Sequence, residues 1–343
     1  MRKRIPINFD WKYSETFSEE MVEKKYDDSD FVTVNIPHTN KEIPYNYFDE
    51  RMYQFVSCYR KTVTLKKEDL EGRLILHFEG AANYSKVYVN GKFVGEHKGG
   101  YTPFSFDITD VVSSGKNVIA VMLDSTERPE IPPFGKVVDY LVYGGIYREV
   151  WLEKVDNVYI KDVFVKPKNI FFDEKLIDVD IEFSESYAGL VKLVFSDGET
   201  VLGERKIKAD GNKVSHKWKV GEVELWDLDN PKLYYLTVIL GEDEYKVRFG
   251  FRSAKFKTDG FYLNGKKVKI RGLNRHQSYP YVGYAMPASA QIADAELMKF
   301  TLGCNLVRTS HYPNSKHFLD RCDEIGLLVF TEMPSWQFLG EGE

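Results

Sequence analysis

Cysteine is scarce in this chain of 343 residues: Cys58, Cys304 and Cys322 are the whole complement. An odd number at such wide spacing supports neither a disulfide framework nor a thiolate metal site, so the three read as buried, reduced thiols. Long apolar runs are missing too. Nothing approaches the roughly 20 residues that span a bilayer, and the basic start MRKRIPINFDWKYSE is not followed by the apolar core of a secretory signal. The expected location is therefore cytoplasmic, unless a signal peptide has been removed. Positive charge is not in excess either. The 47 Lys and Arg against 52 Asp and Glu leave a net charge of −5, which argues against nucleic acid or an anionic membrane as partner. What the chain does have is aromatic side chains, 22 Tyr and 23 Phe. Strand-rich cores account for most of them. The same rings also suit sugar binding, because the C–H face of a sugar packs on an aromatic ring.

The local patterns divide the chain in three. From Asp30 to about Val155, short strands such as Arg73–Phe78 and Asn117–Leu123 alternate with turns, with no helical pattern between them. Asn90-Gly91 predicts a hairpin over Lys86–Val94, because that pair supplies the positive φ angles of a type I′ turn. Such regular strands indicate a sandwich or jelly roll. From about Asn157 to Ala254 the spacing predicts about seven strands, including 177–183, 191–195 and 233–238, with turns at Asp197-Gly198 and Asp210-Gly211. That fits an immunoglobulin-like sandwich without the disulfide. After a second Asn-Gly hairpin at Asn264-Gly265 the character changes. A strand ending at His276, a helix over Ser289–Leu302 stopped by Gly303, a strand from Leu306, a helix capped by Asn314 and stopped by Gly326, and a strand over 327–334 follow in order. Alternating strand and helix are the start of a (β/α)8 barrel, whose chemistry sits at the C-terminal ends of its strands.

Asn305-Leu-Val-Arg-Thr-Ser-His-Tyr-Pro313, followed by Cys322-Asp-Glu-Ile-Gly-Leu-Leu-Val-Phe330, resembles the signature of glycoside hydrolase family 2. That family holds β-galactosidases, β-glucuronidases and β-mannosidases. Phe78-Glu-Gly80, Gly99-Gly-Tyr-Thr-Pro-Phe104 and Gly144-Gly-Ile-Tyr-Arg-Glu-Val-Trp151 are similar to its sugar-binding domain, and Phe249-Gly-Phe-Arg252 to the close of its middle domain. The implied fold is mainly β: a jelly-roll domain over 1–156, an immunoglobulin-like spacer over 157–254, and an incomplete TIM barrel over 255–343. The expected activity of the full-length parent is that of a retaining exo-β-glycosidase, foremost a β-galactosidase, of which this chain is the N-terminal portion. A β-glucuronidase, another exo-glycosidase of the family or a non-catalytic carbohydrate-binding protein are the alternatives.

The resemblance also assigns residues. Arg308 matches the arginine that orients the nucleophilic glutamate, since a fixed guanidinium favours a neighbouring carboxylate's charged form. His276 and His311 match histidines that contact substrate hydroxyls. Asp139, six positions before Gly145, matches an aspartate that binds hydroxyls from a loop leaning over the barrel. Asn274, Glu332 and Trp336 are further candidates at the strand ends, Glu332 as a supporting acid and Trp336 as a stacking platform. No cofactor is required of these residues; Mg or Na in the full-length enzyme stays open, as does a homo-oligomer. The expected partner is a carbohydrate substrate. Retention of configuration needs two carboxyl groups about 5–5.5 Å apart. In the family the acid/base is the glutamate of an Asn-Glu pair, and no Asn-Glu dipeptide occurs here; the nucleophile comes from a later strand. The chain by itself is therefore expected not to hydrolyse nitrophenyl β-galactoside or β-glucuronide. Turnover clearly above buffer, from a sample free of host enzyme, would overturn that expectation.

Overall fold

The computed structural model describes residues 2–46, 49–135 and 138–336. Two antiparallel sheets form the first sandwich. One has four strands, including Arg73–Phe78 and Val150–Val155; the other has six, with Val56–Leu65 and Gly115–Asp124 at its centre. Alternation dictates the core: Leu74, Leu76 and Phe78 from one sheet meet Tyr59, Val63, Ile119, Val121 and Leu123 from the other. The hairpin forms as its sequence requires. Asn90 and Gly91 have φ of 53° and 84°, and Tyr84–Val89 pairs with Lys92–Lys98 across them.

The second sandwich differs from the sequence expectation in strand number. Five strands are present, not about seven, because two are very long: Lys175–Ser196 and Val201–Val220. The segments 177–183 and 191–195 belong to one strand. Its first half pairs with Ile160–Lys168 and its second with Tyr234–Leu240. Between Glu182 and Tyr187 the register slips against Lys213 and Gly211. Asp210-Gly211 is thus not a turn but the strand segment opposite a bulge, where the extra residues of one strand bend the ribbon. Asp197-Gly198 does reverse the chain.

The last part opens with an antiparallel sheet of Ala254–Lys257, Gly260–Leu263 and Lys266–Val268. Three parallel strands follow, Gly272–Asn274, Leu306–Thr309 and Leu328–Thr331. Helix α1 (Ala288–Glu296) and helix α2 (Lys316–Ile325) connect them. α1 is shorter than expected: Leu297–Thr301 continues as a π-type turn before Gly303. The N-cap of α2 is Ser315, not Asn314, because the Asn314 side chain is engaged by the buried Arg275. Leu273, Phe300 and Phe330 of this part are all exposed.

Gly326 closes α2 in the left-handed conformation, φ 73°, its N–H bonded to the Cys322 carbonyl. A Cβ there would stand 2.2 Å from the Leu228 carbonyl oxygen of the second sandwich. Gly326→Ala is therefore expected to loosen this junction, at a cost of about 1–2 kcal/mol from the backbone alone and more from the clash. The readout is amide exchange at Leu327 and Leu328, whose N–H groups bond to Cys322 and Asn305. Unchanged protection in the variant would contradict this account.

Candidate functional site

Parallel register brings the first residues of the site together. Asn274 stands beside Arg308 on adjacent strands, so the Arg308 guanidinium reaches the Asn274 amide oxygen at 3.4 Å. Glu332 follows the third strand and takes the Arg308 Nε–H in a close ion pair. Its other oxygen lies 2.9 Å from His311 Nδ1. The same ring nitrogen is 3.2 Å from an Arg308 Nη. Charge and distance favour an Nδ1–H donating to Glu332, which leaves His311 Nε2 as the free edge. Arg308, His311 and Glu332 thus form one network at the strand ends, and Asn274 touches its margin.

His276 faces His311 with ring centroids 5.5 Å apart, and its Nδ1 is 3.3 Å from the Tyr312 hydroxyl. Burial lowers the His276 pKa, and the neighbouring His311 and Arg308 push the same way; the negative charge of Asp139 opposes them in part. Asp139 is therefore within electrostatic reach of His276, on an exposed loop of the first sandwich. Trp336 lies at the edge, its ring 6.1 Å from that of His311. Arg275 does not join the group. It turns into the helix layer, pairing with Asp294 at 2.7 Å and Gln291 at 2.7 Å over the Phe318 ring.

Two residues of the site escape sequence reasoning. Tyr140 packs its ring between His276, His311 and Tyr312, with centroids 5.5, 5.7 and 5.5 Å away. Burial raises its phenol to about 12. Its only sequence signal is adjacency to Asp139. Tyr312 stacks on Tyr101 at 4.3 Å, nearly parallel, and the available signal was its place inside the Ser-His-Tyr-Pro run. A histidine, phenol and carboxylate lining of this kind exchanges hydrogen bonds with hydroxyl groups and offers ring faces to C–H surfaces. Among the described residues no group of three or more His, Cys, Asp or Glu is arranged to hold a metal ion.

Comparison with known proteins bears on this arrangement. Three models of one family match in succession: the sugar-binding domain of glycosyl hydrolases family 2 at residues 11–156, a further family 2 domain at 158–252, and the family 2 TIM barrel domain at 254–339. The chain belongs to glycoside hydrolase family 2. It is 48% identical to a β-galactosidase of Thermoanaerobacterium thermosulfurigenes, over all of this chain and 50% of the relative. It is 43% identical to a β-galactosidase of Thermoanaerobacter pseudethanolicus, over 99% of this chain and 48% of the relative. A crystal structure of a Bacteroides uniformis β-glucuronidase superimposes with a TM-score of 0.89 at 29% identity, covering all of this chain and 43% of that one. The family 2 chain thus spans about half the length of the curated relatives it matches.

A third histidine lies at a contact between α2 and the first sandwich. His317 of α2 lies 2.7 Å from Glu149 of the first sandwich, and that hydrogen bond raises its pKa. A raised value means that this contact contributes stability below the ordinary imidazole pKa of about 6.5 and loses it as pH rises through the higher folded value. An NMR titration of the ring protons is expected to give a midpoint below about 6.5 for His276 and above it for His317. The reverse order would refute the packing described.

Proposed function

We propose that this chain is the front part of a retaining exo-β-glycosidase that removes terminal β-linked sugars, foremost galactose. The reading is supported by contacts between two domains: His276, Arg308 and His311 at the barrel strand ends, with Tyr140 of the first sandwich packed on both histidines and the charge of its neighbour Asp139 felt at His276. In that reading Asp139 accepts hydrogen bonds from sugar hydroxyls, and His276 and His311 hold further hydroxyls as charge develops at the anomeric carbon. Arg308 orients the nucleophilic carboxylate that a later barrel strand supplies. Asn274 and Glu332 position Arg308, and Trp336 borders the sugar. The acid/base and nucleophile carboxylates lie outside this chain, so it binds sugar without cleaving it. Galactose is preferred because the curated relatives at 48% and 43% identity are named β-galactosidases. A β-glucuronidase is the second reading, favoured by the fold similarity to the Bacteroides uniformis enzyme.

The test is kinetic and uses a longer protein that includes the rest of the barrel. Asp139→Ala removes charge-assisted hydrogen bonds of about 1.5–3 kcal/mol each. That corresponds to a fall of roughly ten- to a hundredfold or more in kcat/KM. Circular dichroism and melting temperature are expected to stay put, because Asp139 is exposed. Unchanged kcat/KM would return Asp139 to a solvated loop. Preference for nitrophenyl β-glucuronide over the galactoside would select the second reading.

A further inference from the structure

A groove elsewhere between the first sandwich and the barrel loops carries rings that the proposed chemistry does not use. Tyr45, Tyr279 and Tyr281 are 69%, 58% and 51% exposed. With Tyr143, Ser278 and Pro280 they line a groove of about 180 Å³. Two parts of the chain build it. Tyr45 and Tyr143 belong to loops of the first sandwich, and residues 278–281 to the loop after the first barrel strand. The two are fastened by an isolated antiparallel bridge between Ile43 and Tyr281, with the Ile43 N–H 3.1 Å from the Tyr281 carbonyl oxygen. Tyr279 and Gly283 exchange both backbone hydrogen bonds at 3.0 Å, which closes a tight hairpin. At its tip Tyr281 has φ 71°. A bulky aromatic residue is strained in that region, where glycine or asparagine sits easily. The surrounding backbone bonds hold it there, and the ring faces largely into water. Strain of this kind, imposed by neighbours, is a mark of a functional position.

Buried rings join the wall of this groove to the candidate site. Ser278 is two residues past His276. The Tyr143 ring packs on Tyr284 at 5.0 Å, Tyr284 on Tyr312 at 5.4 Å, and the Tyr312 hydroxyl is 3.3 Å from His276. We propose that this groove is a carbohydrate-binding subsite for the leaving-group side of a β-linked oligosaccharide. Its orientation relative to the bond cleaved rests on the glycosidase reading; its binding of sugar does not. A tyrosine suits the task. Its ring gives a rigid apolar face for pyranose C–H groups, and its hydroxyl gives a polar handle for ring substituents. Exposed rings clustered in one concavity, unlike single exposed apolar residues, indicate a ligand surface.

Saturation-transfer NMR on this chain tests the assignment, with β-1,4-galactotriose and methyl β-galactoside as separate probes. Tyr279→Ala removes an exposed ring, and Tyr281→Gly removes the other while relieving the backbone, so both variants keep the fold, as circular dichroism would verify. The expected result is trisaccharide binding to the wild type, weakened roughly three- to tenfold in each variant, with methyl β-galactoside binding unchanged. Equal trisaccharide affinity in the variants, or no trisaccharide binding to the wild type, would overturn the proposal. So would conversion of a sedimenting dimer to a monomer by Tyr281→Gly, which would assign the rings to a second copy of this chain. Failure of the glycosidase reading has a different mark: methyl β-galactoside binding insensitive to His276→Ala, while the trisaccharide still depends on Tyr279.

Discussion

A buried guanidinium holds the two contributors to the site together. Arg148, 5% exposed, leaves the first sandwich and donates to Gln277 Oε1 at 2.9 Å and to the Pro313 carbonyl at 2.8 Å. Gln277 follows His276, and Pro313 lies two residues past His311. The same Gln277 oxygen also takes the Ser315 N–H at 3.1 Å. Leaving a buried charge without the groups that bond to it is strongly destabilising. The contact therefore acts as a constraint. Both barrel loops that carry site histidines are set at fixed positions relative to the sandwich that carries Asp139 and Tyr140.

The tyrosines complete what Arg148 begins. Tyr101 and Tyr147 from the sandwich pack with Tyr284 and Tyr312 from the barrel loops as one buried cluster. The Tyr284 hydroxyl donates to the Leu141 carbonyl at 2.7 Å, on the loop that bears Asp139. The second sandwich is tied at both ends. The buried Asp243 pairs with Arg2 at 2.9 Å, and Arg248 pairs with Asp320 at 2.9 Å and Glu324 at 2.6 Å on α2. These ion pairs join it to the N-terminal strand region on one side and to α2 on the other.

Local chemistry explains which parts of this were legible beforehand. The Asn90-Gly91 and Asn264-Gly265 hairpins, the stop at Gly326 and the strand at Leu306 depend on few residues and on backbone preferences, so each appears where its sequence implies. Where a tertiary partner competes, the local rule fails. Asn314 has the side chain of a helix cap, but the buried Arg275 claims it and Ser315 starts the helix. Asp210-Gly211 has the composition of a turn, yet a partner strand of 22 residues keeps it paired within the ribbon. Arg275 and Arg308 both stand near strand ends, and only packing sends one into the helix layer and the other to the site.

The sequence by itself determined the family, the order of the three architectures and the polar residues that end each barrel strand. These follow from short periodicities and from contiguous runs such as Asn305–Pro313. It named Asp139, His276, Arg308 and His311, but it did not bring them together. Tyr140 and Tyr312 became part of the site only when two segments more than a hundred residues apart in sequence were packed against each other. The groove of Tyr45, Tyr279 and Tyr281 likewise exists only through the bridge between Ile43 and Tyr281. The physical reason is the same in each case. Backbone conformation is set within a few residues, whereas the neighbours of a side chain are set by burial and hydrogen-bond satisfaction across the whole fold.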